Sequence, residues 1–101
     1  MRLPQKDPGE TKLVRFAFAS EIERTITIAS VSVSITLAAG VDAGFAAVLD
    51  GAALIDNATL DVLQRVKLGL DACDYELRCL ATDSSGLKHL IVATLPVRTQ
   101  H

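Results

Sequence analysis

The chain has 101 residues, half of them hydrophobic but only 4% aromatic, with no tryptophan and a formal net charge of -2. That length suits one domain, and its β-branched content excludes a disordered body. Acidic and basic residues are interspersed, so no basic block supports nucleic-acid binding, and no polybasic or amphipathic segment marks a membrane surface.

Residues 1–10 hold two of the three prolines and Gly9. Proline removes a backbone donor and pushes its predecessor towards extended conformations. The segment therefore reads as an extended arm outside the core sheets, leaving residues 11–101 as the domain. It has no apolar run, so no secretory signal is expected. The expected setting is a cytoplasm in which the protein stays or is assembled.

Residues 12–18 alternate, with Val14, Phe16 and Phe18 on one face and Leu13, Arg15 and Ala17 on the other. This is a first strand. Ser20-Glu21-Ile22-Glu23-Arg24 breaks the pattern and reads as a short loop or single turn. Val31, Val33, Ile35 and Leu37 then alternate with Ser32, Ser34 and Thr36, the cleanest period-2 signal in the chain. Ile26 and Ile28 have the opposite phase, which predicts a β-bulge or strand break near Ala29-Ser30. Residues 25–41 carry no charge, but their alternate Ser and Thr argue against a membrane span.

A turn-rich connection, Ala38-Ala39-Gly40-Val41-Asp42-Ala43-Gly44, follows. Residues 45–49 read as a short strand closed by the turn dipeptide Asp50-Gly51. Residues 53–55 read as another, ended by Asp56-Asn57. Residues 59–68 fit two templates. As a strand they turn Leu60, Val62, Val66 and Leu68 inward, with Gln64 the exception. As a helix they align Leu60, Leu63, Val66 and Leu70, with Asn57 as N-cap. The β pattern on both sides favours the strand. Asn57-Ala58-Thr59 fits the glycosylation pattern, a chance match where no secretory signal precedes it.

After a turn at residues 69–74, Tyr75, Leu77, Cys79 and Ala81 share one face, and Glu76, Arg78, Leu80 and Thr82 the other. Asp83-Ser84-Ser85-Gly86 is a hairpin turn, with Gly86 suited to positive φ. Residues 87–97 form the last strand, and Pro96 marks an edge or the strand's end. About seven short strands separated by turns predict an all-β fold, an immunoglobulin-like antiparallel β-sandwich with an extended N-terminal arm.

Tyr75 opens the penultimate strand with Asp71 just upstream. That arrangement predicts a tyrosine corner, in which the phenol bonds nearby backbone and stabilises the fold. Extended residues at the spacing of Cys73 and Cys79 lie about 20 Å apart, too far for a disulfide, so free thiols are expected. His89 and His101 read as solvated surface residues. The scattered aspartates match no calcium loop. No nucleophile triad, phosphate loop or carboxylate pair can be assembled, so no enzyme activity, cofactor or metal is expected. The arm looks too polar and proline-rich for the core. That makes Arg2, Leu3, Pro4, Lys6, Asp7, Pro8 and Glu10 the expected interface, with the Pro96 edge as a further candidate.

Three groups of motifs carry a family resemblance. Lys6-Asp7-Pro8-Gly9-Glu10 precedes an alternating aromatic strand. Thr25-Ile26-Thr27-Ile28-Ala29-Ser30-Val31-Ser32-Val33 stands in the middle. Tyr75-Glu76-Leu77-Arg78-Cys79, Thr82-Asp83-Ser84-Ser85-Gly86 and Leu95-Pro96-Val97-Arg98 lie near the end. Together they resemble the small phage-encoded fibre–tail adaptor proteins of tailed phages and prophages, over nearly the whole chain. The resemblance implies an immunoglobulin-like sandwich with a structural role in the virion tail. It would join a tail-fibre protein to tail adaptor or nozzle proteins in several symmetric copies, assembled in the host cytoplasm, without nucleic acid or membrane. The competing expectations are a capsid decoration or head-completion protein of the same fold, and a bacterial immunoglobulin-like binding module. The last would call for exposed aromatics and an export signal.

Overall fold

A computed structural model describes residues 2–20, 22 and 25–99. The expectations for Glu21, Glu23, Arg24 and His101 lie outside the described residues.

Among the described residues, six strands form two antiparallel three-stranded sheets. They are β1 (Lys12–Ala17), β2 (Ile28–Ala39), β3 (Leu54–Asp56), β4 (Asp61–Val66), β5 (Cys73–Asp83) and β6 (Lys88–Val97). One sheet has the order β1-β4-β3 and the other β2-β5-β6. Alternating side chains put one apolar row of β1, β2, β4, β5 and β6 against a shared core, whereas the short β3 is exposed throughout. Val14, Phe16, Val62 and Val66 come from the first sheet, and Ile35, Tyr75, Leu77, Cys79, Ala81, Ala93 and Leu95 from the second. Strand β5 lies at the centre of its sheet, and its inward residues from Tyr75 to Ala81 are fully buried. Strand β2 lies at an edge, where Val31, Val33 and Leu37 are only partly covered.

The phase change before Ser30 is a register shift between Ile28 and Ser30 in the β2–β5 ladder. Residues 59–68 resolve as strand β4, bracketed by Leu60 and Leu68, whose φ angles are 56 and 54. Gln64 is the inward polar residue foreseen as the exception, and its amide donates to the Gly51 and Arg65 carbonyls. Leu68 points away from the core and is 53% exposed, because its left-handed backbone takes the chain out of the strand.

Two further expectations are corrected. Residues 45–49 are not a strand. Phe45–Val48 is a 3-10 turn, and only Leu49 keeps a bridge, to Val66. The Asp42 carboxylate accepts the Gly44 N–H and Ala47 N–H donates to the Gly44 carbonyl, which tightens the turn, while Ala46 and Ala47 offer a sheet little side-chain area. The described strands thus number six where about seven were expected. The second correction concerns the arm. It does not stand apart from the sheets but runs parallel to β6, with bridges Arg2–Thr94 and Lys6–Val97.

Candidate interaction surfaces

The arm docks through backbone. Leu3 N–H donates to the Thr94 carbonyl, Lys6 N–H to the Pro96 carbonyl, and Arg98 N–H to the Lys6 carbonyl. Three arm residues span what two residues of β6 span, and the extra length falls between Leu3 and Lys6, a stretch in which Pro4 has no N–H to offer. Pro96 lies inside β6, opposite Asp74. Its carbonyl points to the arm, so its missing N–H lies on that same outer side, and the β5 ladder loses nothing. The arm therefore occupies the Pro96 edge that the sequence suggested as a docking surface.

The Lys6 side chain adds a second tie to these backbone bonds. The whole residue is buried, and its ammonium donates to the Leu68 carbonyl at 2.5 Å and to its neighbour's carbonyl, Asp7, at 2.8 Å. The aliphatic stem suits an apolar site, and the charged head finds oxygens at the far end. Burial pushes the Lys6 ammonium below its usual value, against the opposing pull of the Glu10 and Asp7 carboxylates. Of the expected interface set, Lys6 is thus enclosed and Leu3 packs against the core. Arg2 and Pro4 are exposed; Asp7, Pro8 and Glu10 are half-buried. The Asp7 N–H donates to Glu10 and its carboxylate accepts the Gly9 N–H, which folds residues 7–10 into a turn. A cleft of about 150 Å³ lies between Leu3 and Pro4 of the arm and residues 12–15 of β1, with Leu95 in its lining.

At the start of β5 the Tyr75 hydroxyl accepts the Leu70 N–H at 2.9 Å and donates to the Asp42 carboxylate at 2.6 Å. Burial, and after it the bond to Asp42, push the phenol well above its usual value. Asp71, the carboxylate expected to accompany Tyr75, instead accepts the Thr99 N–H. Asp42 was not foreseen, because it stands 33 residues away. Gly40 lets the two connections meet here. A Cβ at Gly40 would lie 2.6 Å from the Cys73 sulfur, and its φ is +92.

His89 is not a solvated surface residue. Its Nε2 lies 2.8 Å from the Asp83 carboxylate, and its side chain is 16% exposed. Asp83 also accepts from the Ser85 hydroxyl and the Ser85 and Leu87 N–H groups. Those donors, led by the Ser85 hydroxyl and His89, hold the Asp83 carboxyl down at about 2. The cluster closes the β5–β6 hairpin.

Cys73 and Cys79 are both free and buried, and burial pushes the Cys79 thiol up to about 12. Among the described residues no group of three His, Cys, Asp or Glu side chains could hold a metal, and no helix is long and apolar enough to cross a membrane. Asn57, the residue of the glycosylation pattern, is engaged. Its carbonyl accepts the Ile28 N–H at 2.7 Å and its amide donates to the Ile28 carbonyl at 3.3 Å.

The surface that remains consists of strand edges, turns and a few apolar side chains. Leu80 and Leu90, paired across β5 and β6, are exposed together. No protein-family model, curated protein or solved structure matches the chain.

Proposed function

We propose that this protein is a structural component of a tailed bacteriophage or prophage particle, an adaptor that attaches tail fibres to the tail. The observation that carries the reading is the chain path. In an immunoglobulin sandwich one sheet runs A-B-E-D and the other C-F-G. Strands β1, β4 and β3 take the places of B, E and D, and β2, β5 and β6 those of C, F and G. The Tyr75 hydroxyl bonds the backbone five residues upstream of it, as a tyrosine corner does. Both features support an immunoglobulin-like fold without its first strand, which is the fold that the resemblance to fibre–tail adaptors implies.

In this reading the domain is a preformed wedge between larger partners. Each contact is modest, and several symmetric copies multiply their effect. The arm contributes Arg2 and Pro4, which are exposed beside the β1 cleft, with Asp7, Pro8 and Glu10 at their flank. Lys6 and Leu3 hold the arm in place from beneath.

Tagging the chain in its host and imaging labelled particles tests the reading. Label at the tail, lost on Arg2→Glu with the fold intact, is the expected result. Label on the head would favour a capsid decoration protein, and absence from particles would sink both.

A further inference from the structure

The two sheets have four edge strands, and three of them are guarded. Strand β6 carries Pro96 and is overlaid by the arm. Strand β1 carries Lys12 and Arg15, and β3 is three residues long and ends in Asp56. Short length, charge, proline and cover are the usual means of keeping an edge from pairing. Strand β2 lacks short length, charge and proline, and the 3-10 turn Phe45–Val48 and β3 lie near it without pairing with its backbone. Strand β2 is twelve residues long, with no charged residue and no proline. Its register with β5 is unbroken from Ser30 to Leu37. Asn57 closes the outer edge only at Ile28. Beyond that point, no described residue pairs with the outer backbone of β2 before its end.

The side chains of β2 make the edge compatible with itself. Ser30, Ser32, Ser34 and Thr36 lie on the outer face; Val31, Val33, Ile35 and Leu37 lie on the core side, where three of the four are incompletely covered. An antiparallel copy of the same strand, paired residue for residue of like parity, sets hydroxyls beside hydroxyls and aliphatic groups beside aliphatic groups. With no ionised group on either side, no like charges meet. The same neutrality gives a charged foreign strand nothing to recognise.

We propose that the β2 edge pairs antiparallel with the β2 edge of a second copy of this chain across a two-fold axis. The two three-stranded sheets would then form one six-stranded sheet. A two-fold interface is isologous, and it uses up both open edges at once, so association stops at the dimer. The inference rests on the edge itself and does not depend on the adaptor reading.

Sedimentation of the purified full chain over a concentration series tests it. The wild-type chain is expected to reach twice the monomer mass as concentration rises. Ser32→Lys combined with Ser34→Lys sets like charges across the axis and is expected to hold the chain at monomer mass. Ser32→Glu combined with Ser34→Glu should do the same. These side chains are exposed, so both variants should keep the wild-type far-ultraviolet dichroism. An equal mixture of the two variants should recover the doubled mass, because opposite charges then meet. A wild-type chain that stays monomeric overturns the pairing, leaving a foreign strand as the occupant. So does a Lys variant that still dimerises, or a mixture that stays monomeric. None of these outcomes bears on where the protein sits in a particle, so this test and that of the adaptor reading fail separately.

Discussion

Tyr75, near the start of β5, and Asp42, in the turn after β2, lie at the same end of the antiparallel β2–β5 pairing, and the phenol donates to the carboxylate at 2.6 Å while accepting the Leu70 N–H. The bond ties the turn after β2 to the turn before β5, and it does so with the only tyrosine in the chain.

Replacing that hydroxyl leaves a backbone N–H and a carboxylate without their partner, so Tyr75→Phe should destabilise the domain by about 1–3 kcal/mol. The phenol also gives a direct optical test. With one tyrosine and no tryptophan, the alkaline absorbance change of tyrosinate reports Tyr75 alone. Its value is raised in the folded state. Its contribution to stability is therefore complete below the ordinary phenol value of about 10 and lost as pH rises through the folded value. Absorbance should stay flat near pH 10 in the folded protein and rise only with unfolding. Ionisation at the ordinary value without unfolding would contradict the geometry.

Lys6 makes a second prediction, because it binds the arm to a carbonyl 62 residues away. Lys6→Met keeps the stem and removes the donor to the Leu68 and Asp7 carbonyls. Amide exchange at Leu3, Lys6 and Arg98 should speed up by about tenfold or more, since a net loss of about 1.4 kcal/mol from the two bonds together already gives that factor. Exchange in the centre of β5 should not change. Removing residues 1–10 altogether would also strip the outer edge of β6, so truncation mixes loss of contact with loss of fold, and the single substitution is the cleaner probe.

The sequence carries the strands more plainly than the polar ties between them. Tyr75, Leu77, Cys79 and Ala81 read as one face and are one face, because alternation is a local property of an extended chain. The bulge after Ile28 is legible for the same reason, as a change of phase. The pairs Tyr75–Asp42, Asn57–Ile28 and Lys6–Leu68 are not legible, since each joins segments that only the completed fold brings together. Lys6 misleads further. Its residue type signals a solvated charge, while most of its side chain is hydrocarbon. The polar, proline-rich composition of the arm gives no sign of the inward turn of Lys6 and Leu3.

Asp83 predicts acid sensitivity. Its carboxyl is depressed from 3.8 to about 2 by the Ser85 hydroxyl first and by His89 next. A depressed carboxyl stabilises the fold above its unfolded value, and that stability is lost as pH falls through the folded value. The thermal midpoint should therefore decline between about pH 4 and pH 2 in the wild-type chain. Asp83→Asn should lower the midpoint at neutral pH and flatten that decline, so that the two curves converge in acid. Parallel curves over this window would show that Asp83 is not the group responsible.

The last prediction concerns Asn57, whose side-chain amide acts as one rung of a sheet. It both accepts from and donates to the backbone of Ile28, at 2.7 and 3.3 Å, and so pins the start of β2 to the turn between β3 and β4. Ile28 is buried and its side chain belongs to the core, and removing the amide leaves its N–H and carbonyl without their protein partner. Asn57→Ala should cost about 1–3 kcal/mol. Asn57→Asp keeps an acceptor for the Ile28 N–H but sets a carboxylate oxygen against the Ile28 carbonyl, so it should cost a comparable amount at neutral pH and recover as the carboxylate is protonated. Chemical denaturation at two pH values separates the cases. A fully tolerated alanine would mean that β2 is held in place by its ladder with β5 alone.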